Sequence, residues 1–250
     1  MTVQLALAGV TKKFGGLAAL SEVTFDVEDG EILGLIGPNG AGKTTLLNCI
    51  SGVYHPDAGT VSLGDKQIQG RPAYQIARLG MGRTFQVVKP FPSMTVRQNA
   101  AMGAMFGRGR TRTPPKRAME EADAVLSTTG LAKRADVLVS NLTIPERKRL
   151  EVARALAMRP IVLLLDEVMA GLTPSEVDEA LEVVRTVNAT GVTIVLIEHV
   201  MRVVVGVCQR ALVLHQGKVL VQGPTNEVLE DERVIEAYLG ERYAKAHRRA

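Results

Sequence analysis

The sequence predicts an α/β fold in which a buried, parallel β-sheet is interrupted by an inserted helical segment. Two short runs, residues 161–165 and 192–197, are almost wholly apolar, as parallel strands covered on both faces require. The segment between them, residues 174–187, has helical periodicity, which gives a β/α alternation. Near the N-terminus, an apolar run at residues 31–36 leads through a glycine-rich loop into a predicted helix at residues 44–51.

The rest of the N-terminal segment has the pattern of short strands. Residues 3–10 and 22–27 alternate between apolar and polar side chains, and a turn is expected at Gly15 and Gly16. Residues 59–63 form a further predicted strand. We therefore expect an N-terminal β subdomain beside the α/β core.

The middle of the chain is predicted to be helical. Pro145 suits the first turn of its helix, where the missing N–H costs little. A Gly/Arg/Pro-rich link is expected at residues 107–115. Helical periodicity is found in three segments, at residues 95–106, 117–129 and 145–158.

The chain is long enough for one domain with an inserted lobe. It has 250 residues, of which 46% are hydrophobic and 22% charged, a balance that favours a packed core over disorder. The change of pattern after residue 86 places the core at residues 1–86 and 159–250. A helical subdomain is then inserted at residues 87–158.

Cysteine usage and hydropathy bear on the compartment. Cys49 and Cys208 lie in apolar surroundings, so we expect two buried free thiols, as in a reducing compartment, and no disulfide framework. No apolar run approaches the ~20 residues that span a bilayer, and the first residues lack a signal-peptide pattern. These features predict a cytoplasmic protein or one that is peripheral to a membrane.

Basic residues are unevenly distributed, although the net charge is only +4. Residues 71–119 contain no Asp or Glu, and the last residues include Arg242, Lys245, Arg248 and Arg249. Such a distribution is typical of a solvated basic face or of contact with anionic headgroups or a partner. Nucleic acid is disfavoured because almost no aromatic residues interleave the charges.

One contiguous motif carries most of the predicted chemistry. Glycines let backbone N–H groups approach phosphate oxygens, and a helix N-terminus adds positive potential. Lys43 would reach the β- and γ-phosphates of ATP, and the Thr44 hydroxyl would ligate Mg²⁺. The motif matches G-x-x-x-x-G-K-[ST] between a predicted strand and a predicted helix, and with the threonine after it comprises Gly37, Pro38, Asn39, Gly40, Ala41, Gly42, Lys43, Thr44 and Thr45.

Two adjacent carboxylates follow the apolar strand at residues 161–165. Asp166 would hold Mg²⁺ through water, and Glu167 would polarise the attacking water. Taken alone, the pair could also be solvated acids at a strand end. Together with the phosphate loop upstream, they predict a P-loop NTPase.

The order of elements resembles the ATP-binding subunits of ABC transporters along essentially the whole chain. The resemblance implies a RecA-like mixed-sheet core, an N-terminal antiparallel β subdomain and an inserted α-helical subdomain. It implies that Phe14 stacks on adenine and that Gln86 contacts Mg²⁺ and the attacking water. It also implies that Glu167 is the catalytic glutamate, that His199 contacts the γ-phosphate, and that residues 170–173 face a partner subunit. Singly, Phe14 could be a core aromatic, Gln86 a surface amide and His199 a structural histidine.

One loop departs from the family pattern. The signature loop usually reads Leu-Ser-Gly-Gly-Gln, whereas this chain has Leu142, Thr143, Ile144, Pro145 and Glu146. Thr143 keeps a hydroxyl for the γ-phosphate of ATP bound to the partner, but Pro145 has no N–H to donate. Glu146 brings an anion towards phosphate, which is unfavourable unless Arg147 or Lys148 offsets it. The alternative is a loop that has lost this function.

Several short stretches are similar to the branched-chain amino-acid (Liv-type, LivG-like) importer ATPases. The resemblance implies an ATP hydrolase that energises an importer from the cytoplasmic face of the inner membrane. It implies as partners two transmembrane permease subunits, a second ABC ATPase in a homo- or heterodimer and, indirectly, a periplasmic solute-binding protein, with no nucleic acid. The stretches are residues 14–17, 83–86, 94–96 with Asn99, 166–174, 197–199 and 237–240.

Other functions remain alternatives. Related branches import urea or short amides, and one exports lipopolysaccharide. A soluble non-transport ABC ATPase is disfavoured because the chain has one phosphate loop and no long coiled coil. A non-hydrolysing regulatory subunit is suggested by the altered signature loop, but Gln86, Glu167 and His199 argue against it.

Overall fold

The computed structural model describes residues 2–84, 90–109 and 113–239. The strands in these residues are β1 (Val3–Phe14), β2 (Leu17–Glu28), β3 (Ile32–Ile36), β4 (Ala58–Leu63), β5 (Lys66–Gln67), β6 (Met81–Arg83), β7 (Val162–Asp166), β8 (Thr193–Ile197), β9 (Arg210–His215) and β10 (Lys218–Pro224). The helices are α1 (Lys43–Ile50), α2 (Ala73–Leu79), α3 (Val96–Phe106), α4 (Pro115–Thr128), α5 (Ile144–Ala157), α6 (Pro174–Ala189), α7 (Met201–Val207), α8 (Thr225–Glu230) and α9 (Glu232–Leu239). None of these helices is both long and apolar enough to cross a lipid bilayer.

The chain divides into two compact units. The first unit comprises Met1–Arg71 and Val195–Ala250, and the second comprises Pro72–Ile194. Strand β8 carries the chain from the second unit back to the first. The expected division, with a helical subdomain at residues 87–158, stays a prediction.

The first unit contains an antiparallel sheet in the order β2-β1-β4-β5. Strands β1 and β2 form a hairpin that pairs Val10 with Val23 and Phe14 with Leu17, so the turn lies at Gly15 and Gly16 as predicted. Both strands run longer than the alternating segments, because backbone pairing continues to the turn whether or not the side chains alternate.

A second set of strands in the first unit leads towards the phosphate loop. Strand β3 pairs in parallel with β9, with Leu33 opposite Arg210, and β9 pairs antiparallel with β10. All five residues of β3 are buried. The side-chain oxygen Oε1 of Gln209 accepts a 2.7 Å hydrogen bond from the Ile32 N–H, which fixes the start of β3.

In the second unit, β6 and β7 pair in parallel and three helices form a separate apolar cluster. Helix α3 approaches α5 so closely that a Cβ on Gly103 would lie 2.3 Å from the carbonyl oxygen of Arg154. Small side chains make this approach possible. The core of the cluster includes Val96, Ala100, Ala104, Ala118, Ala122, Leu126, Leu150, Ala153 and Ala157.

Three helices of the second unit begin at threonine caps. Thr95, Thr143 and Thr173 each accept a hydrogen bond from the backbone N–H three residues later, and the side chain of that residue returns a bond to the cap. Such reciprocal boxes satisfy backbone donors that a helix start otherwise leaves open. Helix α5 therefore starts at Ile144, with Pro145 in its first turn as predicted.

The basic stretch between residues 71 and 119 is partly neutralised by acids from elsewhere in the chain. Arg83 is buried against Asp166, and Arg97 pairs with Asp123 and Asp136. The exposed basic face is therefore smaller than the sequence suggests. The basic residues 242–249 lie outside the described residues.

Candidate functional site

The loop between β3 and α1 has a backbone that only glycine can adopt at two positions. Gly37 has φ 148°, and a Cβ there would lie 2.1 Å from the Leu214 carbonyl oxygen. Gly42 has φ 106°, and a Cβ there would lie 2.7 Å from the Ala19 carbonyl oxygen. The loop is thus tightly held, as a cradle for phosphate requires.

Lys43 lies inside this loop. Its side chain is 6% exposed, and Nζ donates to the carbonyl oxygens of Gly37 at 2.7 Å and Pro38 at 3.1 Å. Within the described segment, the first turn of α1 has no acidic residue and no side-chain cap. The backbone N–H groups of this first turn and the positive end of the α1 dipole therefore favour an anion. Thr44 is exposed beside them, and Thr45 is half-buried.

A residue that sequence analysis missed also contacts the loop. The backbone N–H of Gly37 donates a 2.7 Å hydrogen bond to the phenol oxygen of Tyr238 in α9. Burial raises the pKa of Tyr238 and the Gly37 hydrogen bond lowers it, with a net rise, so the phenol is neutral at physiological pH. The two residues are 201 positions apart, and nothing in the sequence signals their contact.

Phe14 lies at the end of β1 and is 44% exposed, so it is not a core aromatic. Its ring packs edge-on against Tyr54, with the centroids 5.3 Å apart. The ammonium of Lys12 lies 5.6 Å from the ring centroid and is paired with Asp57. An exposed ring of this kind suits stacking on a base, and that role stays a prediction.

In the second unit, Asp166 ends the buried strand β7 and is itself 3% exposed. Its carboxylate oxygen Oδ2 accepts a 3.2 Å hydrogen bond from Nη2 of the buried Arg83. Its backbone N–H donates to the Thr84 hydroxyl at 3.1 Å. The carboxylate is therefore held by a buried cation, a partner that the sequence did not indicate.

Glu167 follows with a backbone in the left-handed region, at φ 51°. A non-glycine residue in this conformation costs about 1–3 kcal/mol, and such strain clusters at functional sites. The next turn is tight, because the Glu167 carbonyl accepts from the Ala170 N–H at 3.3 Å. The half-buried Glu167 is thus placed immediately after a rigid strand, as a catalytic group requires.

The signature loop, whose sequence departs from the family pattern, forms the start of α5. There Thr143 and Glu146 cap one another. The Glu146 carboxylate accepts from the Thr143 N–H at 2.8 Å and is paired with Arg134 at 2.8 Å. The expectation that Arg147 or Lys148 offsets Glu146 is not met. Arg147 donates to the Ser140 carbonyl and Lys148 to the Ala170 carbonyl, so the offsetting cation is Arg134.

The pKa of Glu146 reflects three influences. Burial raises this pKa, but the hydrogen bonds from Arg134 and Thr143 together lower it by more than burial raises it. The net pKa therefore lies below the usual range. Glu146 is therefore an anion that Arg134 neutralises and the Thr143 N–H stabilises.

The structure distributes the predicted site residues between the two units. His199 is exposed just after β8, in the first unit with Phe14 and the phosphate loop. Thr143, Asp166 and Glu167 belong to the second unit. Gln86 lies outside the described residues.

Among the described residues there is no group of three or more His, Cys, Asp or Glu side chains that could hold a metal ion. Mg²⁺ in phosphate sites is typically bound by one or two protein oxygens, with water and substrate phosphates completing its shell. That Thr44 and Asp166 supply oxygens of this kind stays a prediction.

Comparisons with known proteins agree with this chemistry. A family described as ABC transporter matches residues 20–170, and one described as branched-chain amino acid ATP-binding cassette transporter matches residues 218–244. The branched-chain amino acid transport ATP-binding protein LivG of Salmonella typhimurium is 41% identical over 95% of this chain and 98% of its own. BraF of Pseudomonas aeruginosa, which has the same description, is 39% identical over 95% of this chain and 98% of its own.

A solved structure supports the same assignment. The ADP conformation of an ATP-binding cassette of an ABC transporter has a TM-score of 0.86 to this chain at 29% identity, covering 96% of this chain and all of that one. The mixed α/β fold that the sequence predicted is thereby confirmed. The family match covers more than half of the chain, and the relatives cover nearly all of it. The chain therefore belongs to the ATP-binding subunit family of ABC transporters.

Proposed function

We propose that this chain binds and hydrolyses ATP to energise an importer of branched-chain amino acids. The observation that carries the proposal is the phosphate loop, in which the buried Lys43 is held inside a glycine-built turn at the start of α1. The transported solute follows from LivG and BraF, which are described as branched-chain amino acid transport proteins and align with nearly the whole chain.

The phosphates of ATP would bind at the start of α1. Lys43 would exchange its bonds to the Gly37 and Pro38 carbonyls for bonds to β- and γ-phosphate oxygens. Thr44 and Asp166 would hold Mg²⁺, which neutralises phosphate charge when bound. The exposed face of Phe14 would stack on adenine.

Hydrolysis would depend on residues that orient water and the γ-phosphate. Glu167 would accept a proton from the attacking water. Its strained backbone directly after β7 fixes the point from which its side chain extends. His199, exposed after β8, would donate a hydrogen bond to the γ-phosphate. Gln86 would contact Mg²⁺ and the water.

The capped start of α5 gives the departed signature loop a functional interpretation. A helix N-terminus is positive, and Arg134 already neutralises the Glu146 carboxylate. This arrangement can face the γ-phosphate of ATP bound to a second ATPase subunit without net repulsion. Thr143 would then present its hydroxyl to that phosphate.

The remaining partners follow from the family. Two membrane-spanning permease subunits would bind the ATPase pair at the cytoplasmic face of the inner membrane. A periplasmic protein would deliver the amino acid. If the loaded binding protein favours the permease conformation in which the ATPase pair closes on ATP, it should raise the rate of ATP hydrolysis.

One variant tests hydrolysis and assembly together. Glu167→Gln should lower phosphate release about 100-fold or more, because a general base contributes on that order, and should leave ATP binding intact. Tagged Glu167→Gln, purified with ATP from gently solubilised membranes, should recover two multi-spanning permeases and a second ATPase. Glu22→Gln is the matched control, because Glu22 is an exposed glutamate with the similar φ of 52°.

Two results would contradict the proposal. Recovery of soluble factors alone would exclude the importer function. Equal phosphate release by the wild type and Glu167→Gln would exclude the assigned hydrolysis. In vesicles that hold the whole complex, leucine with the binding protein should stimulate hydrolysis, and urea should not.

A further inference from the structure

The C-terminal helix contacts the phosphate loop through one side chain. Tyr238 lies in the last turn of α9, and its phenol oxygen accepts a 2.7 Å hydrogen bond from the N–H of Gly37. The helix is anchored near its start, because Val234 is 3% exposed and α9 packs against α8 and β10. Tyr238 therefore contacts the phosphate loop from a helix that is held in place near its start.

Gly37 is held from both sides. Tyr238 binds its N–H, and the ammonium of Lys43 binds its carbonyl oxygen, each at 2.7 Å. At φ 148° this residue has a backbone that only glycine adopts comfortably, and the Leu214 carbonyl leaves no room for a Cβ. The orientation of the carbonyl that holds Lys43 therefore depends on the N–H that Tyr238 fixes.

The strand that leads into this glycine is supported by the same part of the chain. The N–H of Ile32, the first residue of β3, donates to Gln209 Oε1 at 2.7 Å. The Thr225 hydroxyl, at the start of α8, donates to the Cys208 carbonyl at 2.8 Å. Strand β3 is thus bound at its start by Gln209, and Gly37, the residue that follows the strand, is bound by Tyr238.

We propose that Tyr238 is a positioning residue for Lys43 and that it couples occupancy of the phosphate loop to the C-terminal helix α9. The inference rests on the proposed function, in which the loop binds the phosphates of ATP. A ligand that draws Lys43 from the Gly37 carbonyl changes the environment of the glycine that Tyr238 holds. The Tyr238 contact keeps Gly37 and Lys43 in place before a nucleotide arrives, so it lowers the cost of ordering the loop and strengthens nucleotide binding. Because such coupling is reciprocal, bound nucleotide strengthens the docking of α9.

The first test is the affinity for Mg-ADP, measured by titration calorimetry on the full chain. Tyr238→Phe removes the phenol oxygen and keeps the ring. It should weaken binding about fivefold, which corresponds to one net hydrogen bond of about 1 kcal/mol. Tyr74→Phe is the matched control, because Tyr74 is 61% exposed and belongs to the second unit. Its affinity should equal that of the wild type.

The second test is amide hydrogen exchange in α9 with and without Mg-ADP. In the wild type, nucleotide should slow exchange between Val234 and Tyr238, and in Tyr238→Phe this effect should be lost. Thermal unfolding of the ligand-free variant separates a positioning role from a purely structural one. Loss of one hydrogen bond should lower the melting temperature by no more than about 2–4 °C.

The outcomes are distinct. Equal Mg-ADP affinity and equal exchange in the wild type and Tyr238→Phe overturn the positioning role. A variant with a lower ligand-free melting temperature but the Mg-ADP affinity of the wild type also overturns it, in favour of a structural role. If the wild-type chain itself does not bind Mg-ADP, the proposed function fails together with this inference.

Discussion

Arg83 Nη2 lies 3.2 Å from Asp166 Oδ2, and the two side chains are 6% and 3% exposed. Parallel pairing of β6 with β7 places Arg83 opposite Leu164, two residues before the aspartate. Burying a lone carboxylate is costly, and the guanidinium offsets that cost at the end of the strand. The ion pair thus fixes the Asp166 carboxylate directly after β7.

Arg83→Met should be strongly destabilising, because it leaves the Asp166 carboxylate buried without its cation. Breaking a buried pair in this way costs about 3–5 kcal/mol. Urea denaturation monitored by circular dichroism gives the free energy of unfolding. Arg185→Met is the control, since Arg185 pairs with Glu182 on the exposed face of α6 and should cost less than about 1 kcal/mol. Similar losses for both variants would contradict the assigned role of Arg83.

The capping box at Glu146 should make the free energy of unfolding depend on pH in the acidic range. Its pKa lies below the usual range in the folded chain, so its stabilising effect is complete above the ordinary pKa of ~4.3 and is lost as pH falls through the folded value. Glu146→Gln should therefore be less stable than the wild type at pH 7, and this difference should shrink below about pH 4.

Thermal unfolding at pH 7 and at about pH 3, well below the ordinary pKa of a glutamate, measures this difference. Glu120→Gln, at an exposed position of α4, provides the control with the same change of charge. A stability gap for Glu146→Gln that stays constant across this range would show that the carboxylate charge plays no part.

Gly37→Ala should lose both stability and nucleotide binding. The new Cβ would lie 2.1 Å from a backbone oxygen, and a backbone cannot yield as a flexible side chain can. Gly30→Ala is the matched control, because Gly30 also has positive φ, at 73°, but has open space around its Cβ position. It should cost only about 1–2 kcal/mol and leave Mg-ADP affinity unchanged. Equal effects of the two substitutions would refute the close approach.

Neither cysteine should react in the folded chain. Cys49 and Cys208 are buried free thiols, as the sequence predicted, and burial raises their pKa values to about 11 and about 12. Only the thiolate is nucleophilic, so iodoacetamide at pH 8 should leave both unmodified. Mass spectrometry should find both alkylated after denaturation in urea. Rapid alkylation of either thiol in the native chain would show that its site opens readily.

Much of the fold follows from local pattern. Apolar runs and helical periodicity located β3, β7 and β8 as well as α3, α5 and α6, because burial on one or both faces dictates those patterns. The strands β6, β9 and β10 and the helices near the C-terminus were not predicted. Strand β6 has three residues and α8 six, too few for a period to be recognised, whereas β9 and β10, with six and seven residues, were missed although they are longer than β3.

The sequence by itself determined the phosphate loop, because its glycines and Lys43 are contiguous and act through the local backbone. The pairing of Arg83 with Asp166, of Arg134 with Glu146 and of Tyr238 with Gly37 was decided only by tertiary structure. These partners are 83, 12 and 201 positions apart. Such pairs depend on strand register and on the packing of whole elements, and these arise from the summed burial of many side chains that no local motif records.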